Sequence, residues 1–417
     1  MRSLLVLLVL LALAGTTHAD QWATPSKVTL TSPNNKWSAE ITPSKNPKLG
    51  AQATIGPVGG PRKTITLQDT WMPVDSVLLD DGTLLTLDHW HQLGFGKVAL
   101  LYERDGTVRW SKTLVELVGQ QVVDLADHSV SSIWWRKTPL EWSLAKDGKS
   151  GFVTLFDENQ LQLSFKDGST SIIAVTQLPD DPLRQLNRAR ALAKQDGQAS
   201  AALSLLDQML ARHPENYEAA ALYLDVAQRV NDHPLAIAML DKISPNWKSS
   251  ATSGYRFANV AVAWSVSLIA VARVTDAERV LKQAALAAPT YANPVLALGK
   301  LLYDTKRQAD ADRALDAFLA KALMASYVDT YAISTIGDFY KQRKNLTKAL
   351  ATYLKGYKPT EITNQFLYLN LAQTYEALGK RDDAIRIHEQ LLAYFRTHKL
   401  DSYLQQTEAE LARLRKR

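Results

Sequence analysis

Leu371-Ala372-Gln373-Thr374-Tyr375-Glu376-Ala377-Leu378-Gly379-Lys380, with Asp383-Ala384-Ile385 close behind, decides the fold of the C-terminal half. Its apolar side chains recur three and four residues apart, which puts Leu371, Ala372, Tyr375 and Leu378 on one helical face. Gly379 supplies the turn that ends this helix, and Ala384 lies in a second helix that folds back on the first. The small side chain matters because two helices of one hairpin approach closely only where little projects beyond Cβ. The same alanine recurs at Ala202, Ala236, Ala277, Ala311, Ala349 and Ala384, at spacings of 34, 41, 34, 38 and 35 residues. A period of this kind, in a glycine-poor stretch rich in Ala and Leu, predicts stacked helical hairpins, each burying its apolar face on a neighbour.

Ile336-Gly337 with Tyr340, Ala349 and Tyr353 repeats the pattern, and so does Leu298-Gly299 with Leu302, Ala311 and Leu315. Pro214 and Pro289 each stand twelve residues after an alanine of the series, where the second helix has to stop. In these positions residues 183–417 resemble the tetratricopeptide repeat (TPR) family, with about six helical hairpins. The resemblance implies an α-solenoid whose first helices line a concave surface suited to an extended peptide or a partner helix. By register that lining takes in Asn293, Lys300 and Tyr303, then Tyr331, Asp338 and Lys341, then Phe366, Gln373 and Glu376. The lysine and asparagine clamp of chaperone-tail-binding members is not reproduced, so a C-terminal carboxylate ligand is not implied. Two departures stand out. The spacing of 41 falls at residues 244–255 and predicts a longer loop with a bend or a weaker joint. Residues 257–272 carry no charge; they are too few to span a bilayer, which predicts a helix buried on most sides, with an exposed apolar groove as the alternative.

N-terminal to this array the pattern is different. From Trp22 to about Val175 the chain is rich in Thr, Val, Trp and Gly, and holds eight of the ten tryptophans. Asp81-Gly82, Asp105-Gly106, Asp147-Gly148 and Asp167-Gly168 each separate short apolar runs, the mark of tight antiparallel hairpins. Residues 84–87, 98–102, 153–156 and 161–165 are the predicted strands. Residues 20–178 therefore read as an all-β domain, 179–182 as a linker built on Pro179 and Pro182, and 183–417 as the helical array. The fold class is an α+β multidomain chain. Asp81-Gly82, residues 84–88, Trp90, Gly94 and residues 102–106 loosely resemble a small β domain of uncharacterised bacterial envelope proteins, a likeness that carries no activity with it.

The chain has 417 residues, 46% of them hydrophobic and 22% charged, which excludes a disordered or a polytopic membrane protein. It has no cysteine, so disulfides, thiolate metal sites and a cysteine nucleophile are excluded as well. Arg2, the apolar run 4–14 and the small residues around Thr17-His18-Ala19 form an expected secretory signal peptide at 1–19. A membrane anchor is the competing reading, but the run covers about half of the roughly 20 residues that a span needs. Export without cysteine points to a bacterial periplasmic or secreted protein. Charge is uneven: residues 20–181 hold 15 basic and 19 acidic side chains, residues 182–417 hold 32 and 23. The basic excess of the helices favours an acidic or mixed-charge protein or peptide partner; nucleic acid is not expected, nor any integral membrane segment after the leader.

Fragments of catalytic motifs fail on context. Gly94-Phe95-Gly96-Lys97 leads into a β run rather than a helix N-terminus, so no helix dipole faces a phosphate. Ser143-Leu144-Ala145-Lys146 runs into a turn, where a serine and lysine pair needs a helix. His388-Glu389 begins a zinc-protease pattern, but Leu392 stands where its second histidine belongs. His89 and His91, two apart in an extended strand, could share a metal with His128, although histidine beside a glycine turn more often bonds a backbone carbonyl. Trp134-Trp135-Arg136 could form a glycan-stacking platform but reads better as inward core. The sequence thus predicts a non-catalytic binding scaffold with no cofactor and no metal. Its rival is an enzyme or carbohydrate-binding module in the β domain, with the array as a docking handle. Limited proteolysis should cut within 179–182 and release a soluble helical fragment, 183–417, that unfolds cooperatively; an insoluble or unfolded fragment would mean that the halves share one core.

Overall fold

The computed structural model describes residues 23–46, 49–178, 180–247, 251–324 and 329–416; the leader read at 1–19 and Pro179 of the linker lie outside the described residues. By its contacts the chain divides into two compact units, Met1–Leu206 and Asp207–Arg417.

The first unit is built from three four-stranded antiparallel meanders. The first comprises β1 (Val28–Thr31), β2 (Trp37–Thr42), β3 (Gly50–Pro57) and β4 (Lys63–Thr70), and the second β5 (Pro73–Leu78), β6 (Leu84–His89), β7 (Lys97–Tyr102) and β8 (Val108–Thr113). Two short helices follow, α1 (Leu114–Val118) and α2 (Gln120–Leu125), then a two-stranded ribbon, β9 (Asp127–His128) with β10 (Ile133–Trp134). The third meander is β11 (Trp142–Leu144), β12 (Ser150–Thr154), β13 (Gln160–Ser164) and β14 (Thr170–Ile173). Residues 84–87, 98–102 and 161–165 fall in or beside strands as expected, whereas the 153–156 run is shifted: β12 ends at Thr154 and the chain then turns.

Each of the four Asp-Gly pairs forms its hairpin turn, with one correction. Only the glycine has a positive φ; the aspartate keeps an ordinary backbone and its carboxylate accepts from the N–H two residues on, at 2.9 Å for Thr83 and Thr107 and 3.0 Å for Lys149 and Ser169. The Ser169 N–H and hydroxyl hold the Asp167 carboxyl down at about 2. At Gly82 the conformation is not the whole reason for glycine, because a Cβ there would stand 2.6 Å from the Trp37 ring of the first meander. A fifth turn of the kind went unread because Glu158, at φ 69°, stands where glycine would be expected.

The middle meander is buried on both faces. Leu84, Leu100 and Tyr102 pack with Ala39, Ile41, Ala53, Ile55 and Leu67 of the first meander. Leu85, Leu87, Val98 and Leu101 pack with α1, Trp135 and Val153, Leu161 and Leu163 of the third. That is why β7 reads as an unbroken apolar run from Val98 to Tyr102 and why all six residues of β6 are buried, its polar ones included. α3 (Pro182–Lys194) belongs to this unit: Arg184 donates to Glu141 at 2.6 Å and to Glu158 at 3.2 Å, Arg188 to Asn159 at 2.8 Å, and Lys194 to Asp127 at 2.7 Å. The division by contacts accordingly falls inside the next helix, α4 (Ala199–Arg212), later than the composition break at 179–182.

The remaining helices run in antiparallel pairs: α5 (Tyr217–Arg229) with α6 (His233–Ile243), α7 (Ala251–Ala270) with α8 (Val274–Ala287), α9 (Ala292–Asp304) with α10 (Gln308–Met324), α11 (Thr330–Gln342) with α12 (Leu346–Gly356), and α13 (Gln365–Ala377) with α14 (Arg381–Thr397), followed by α15 (Asp401–Lys416). The first helix of each pair also packs on the first helix of the next, the tetratricopeptide-like arrangement. All six alanines of the series are 0% exposed. At Gly337 the crossing is closer still, since a Cβ would lie 2.2 Å from the Tyr353 ring. Pro214 and Pro289 each stand two residues beyond the last residue of a helix, Arg212 and Ala287.

Of residues 257–272, most are buried or half-buried, which favours the buried helix over the open groove. The long spacing is not a loose joint where it is described: Trp247 packs against Tyr217, Phe257 and Trp264 and donates to the Pro214 carbonyl at 2.7 Å. Gly337→Ala and Ala349→Trp should each lower stability by about 1–3 kcal/mol through overpacking. Denaturant unfolding followed by circular dichroism checks this; an unchanged midpoint for both would remove the close crossing from the account.

Candidate functional site

Three first helices present the same positions on one face, because residues seven and ten apart in a helix lie near one another around its axis. In α9 these are Asn293, Lys300 and Tyr303, in α11 Tyr331, Asp338 and Lys341, and in α13 Phe366, Gln373 and Glu376. Their environments differ. Tyr331 and Phe366, in the first turns of α11 and α13, are 61% and 48% exposed. Lys341 links adjacent helices, donating to Gln373 Oε1 at 2.6 Å and Asn370 Oδ1 at 3.1 Å. Partial burial pulls its ammonium pKa below the ordinary lysine range, with Asp338 opposing. Asn293 donates to the Tyr291 hydroxyl, which donates to Asn259 at 2.7 Å. Lys300 is half-buried.

Three of the nine are held in the scaffold. The Tyr303 hydroxyl donates to Asp312 at 2.9 Å beneath the Arg343 guanidinium, 5.1 Å from its ring. Asp338 accepts from the Tyr353 hydroxyl at 2.5 Å, and burial raises its carboxyl pKa. Glu376 receives both arms of Arg413 from α15, at 2.6 and 2.7 Å. The structure therefore brings Lys341 and Gln373 together, leaves Tyr331 and Phe366 facing outward, and ties Tyr303, Asp338 and Glu376 to other helices.

Beside Gln373 and Glu376 lies a cavity of about 130 Å³, walled by Leu369, His388, Gln406, Thr407, Glu410 and Arg413 as well. The repeat register did not reach it, because four of those residues sit on α15, outside the period. His388, from α14, is 5% exposed, and its Nδ1 has no hydrogen-bond partner among the described residues. Burial lowers its pKa; Glu410 and Glu376 oppose, and Arg413 adds to the lowering.

The polar residues of the β half form a brace. Asp88 is fully buried and accepts from Trp135 Nε1 at 3.0 Å, Arg136 Nε at 2.9 Å and the Gly94 N–H at 2.8 Å, while Arg136 also reaches Asp75 at 2.7 Å. Asp69 accepts from the Thr86 and Tyr102 hydroxyls, both at 3.0 Å, and faces His89 Nδ1 at 3.4 Å. The shared-face reading of the histidines is corrected: Asp88 has φ 58° and β6 ends at His89, so strand alternation stops before His91. His91 packs edge-on to Trp71 and Trp90, and His128 Nε2 is 2.9 Å from the Val123 carbonyl. Among the described residues no group of three or more His, Asp or Glu is placed to hold a metal ion. Trp135, fully buried, is the inward indole that the glycan platform would have needed outside.

No family model matches the chain, and no curated protein matches it. Among solved structures it is similar to MamA, at 17% identity over 43% of this chain and 94% of that one, with a TM-score of 0.29. A thermophilic TPR protein of Thermus thermophilus, TTC0263, aligns at 21% identity over 46% and 96% of the two chains, TM-score 0.29. PilF of Pseudomonas aeruginosa aligns at 18% identity over 55% and 97%, TM-score 0.32.

Because folded His388 favours the neutral imidazole while the unfolded chain takes up its proton near 6.5, stability should fall as pH drops below about 6.5. Thermal unfolding of wild type and His388→Gln from pH 7.5 to pH 5 tests this: the variant should lose part of the acid sensitivity, and equal slopes would remove His388 as a cause.

Proposed function

We propose that this chain is an exported bacterial scaffold that binds a protein or peptide segment along the first-helix face of its hairpin array and performs no chemistry of its own. One observation carries the reading. Tyr331 and Phe366 expose large aromatic rings at equivalent positions of consecutive first helices, the same two helices that the Lys341 to Gln373 bond links. Aromatic anchors on a face that also carries fixed polar groups are how peptide-binding surfaces gain affinity and direction together. The tetratricopeptide-like hairpins support a solenoid with a concave lining, since hairpins related by a constant step curve. The basic excess of the helical half supports an acidic or mixed-charge partner. The sequence 1–19 and the absence of cysteine support a periplasmic or secreted address. The β unit, an envelope-type domain in this reading, serves as a rigid mount, consistent with a polar network spent on bracing its own core.

A photo-crosslinking residue placed at Tyr331 or Phe366 should capture one defined partner from an envelope extract, and the same residue at exposed Leu286 on α8 should not. Lys341→Glu and Lys300→Glu should reduce that capture and flatten its dependence on salt, with the thermal midpoint of Lys300→Glu unchanged. Equal capture from all three positions would sink the face assignment.

A further inference from the structure

We infer that the cavity between α13, α14 and α15 receives one basic side chain, an arginine by preference, from the segment lying along the first-helix face. The inference rests on the binding reading above and names one contact within it. Gln373 and Glu376 belong both to the first-helix face and to the cavity wall, so a chain crossing that face reaches the cavity mouth.

The chemistry of the wall selects the guest. With His388 neutral, Glu376 and Glu410 outnumber Arg413, which leaves one negative charge, and the last turn of α13 adds the negative end of its dipole. An anion is refused because the fork of Arg413 is already filled: Glu376 takes two of its nitrogens and Glu410 a further bond at 2.7 Å. An apolar side chain is refused because it would cover the Glu376 and Glu410 carboxylates without offering them a donor. Glu410 meets Arg413 through Oε2, and its other oxygen can accept a donor from the guest. Size agrees as well, since a cavity of roughly 150 Å³ admits benzene and about 130 Å³ admits a planar guanidinium with part of its stem. Arginine is favoured over lysine because its rigid fork can meet a carboxylate and a second acceptor at once.

The test uses the full chain with labelled histidine. The His388 ring signals, assigned through His388→Gln, are followed by NMR during titration with N-acetyl-arginine amide and, separately, with its neutral isostere N-acetyl-citrulline amide. The arginine probe should shift His388 to saturation, the citrulline probe should bind roughly tenfold more weakly, and Glu410→Gln should reduce the arginine affinity by a similar factor at an unchanged melting point. A linear shift without saturation, equal response to the two probes, or indifference to Glu410→Gln would mean a water-filled cavity only and would overturn the inference. In that event, crosslinking at Tyr331 and Phe366 that still depends on Lys341 would leave the wider binding reading standing, which separates the two failures.

Discussion

Two helices that cross at a residue with no more than a methyl group can bring their backbones close enough to interlock the side chains on either side. In this protein such alanines recur at Ala236, Ala277, Ala311, Ala349 and Ala384, each in a helix packed on the first helix of its hairpin and all without exposed surface. The rest of the array follows from them. The first helix is pinned to the second, its opposite flank meets the neighbouring hairpin, and its remaining face is left with residues that need not pack. Tyrosines reinforce the pinning by a different force: Tyr353 reaches Asp338 and Tyr303 reaches Asp312, so the hydroxyl of a mostly buried ring fixes the rotation of one helix against the other.

Much of this was legible because short-range rules govern it. The alanine period and the apolar stripe around Tyr375 place helices by geometry that any hairpin must satisfy. The Asp-Gly turns were legible for a similar reason, since only the positive φ of glycine and a carboxylate reaching two residues ahead are required. What stayed hidden depends on tertiary partners. Glu158 occupies a glycine-like conformation because Lys137 and Arg184 hold its carboxylate, and nothing local announces that. The helix α1 did carry a local mark, the capping box of Thr113 and Glu116, but five residues lodged among strands are easily read through. The cavity around His388 could not be found by repeat register, since its far wall is the helix that follows the last hairpin.

The two units spend their buried polar groups differently. In the first, Asp88, Arg136 and Asp75, and separately Asp69 with Thr86 and Tyr102, lie between sheets and answer one another. Burial pushes the Asp69 carboxyl pKa up, and Tyr102 upward as well, which marks groups whose neutral form the core prefers. Such a network rewards one arrangement of the sheets over its alternatives, because any shift leaves an ion or a donor stranded. In the second unit the buried polar contacts run instead between a tyrosine of one helix and a carboxylate of its neighbour, as Tyr353 with Asp338 and Tyr303 with Asp312.

The middle meander also has a history in time. Its first partner, residues 28–70, precedes it in the chain, but its other face is covered first by α1 and Trp135 and only later by the third meander. During synthesis, Leu85, Leu87, Val98 and Leu101 are made well before Val153, Leu161 and Leu163 exist to cover them. At roughly 5–20 residues per second, the stretch from 113 to 165 takes about 3 to 10 seconds, during which α1 and Trp135 are the cover that has been made. A sheet buried on both faces in the finished molecule is thus one whose second face is completed only after a stretch of some seconds in synthesis.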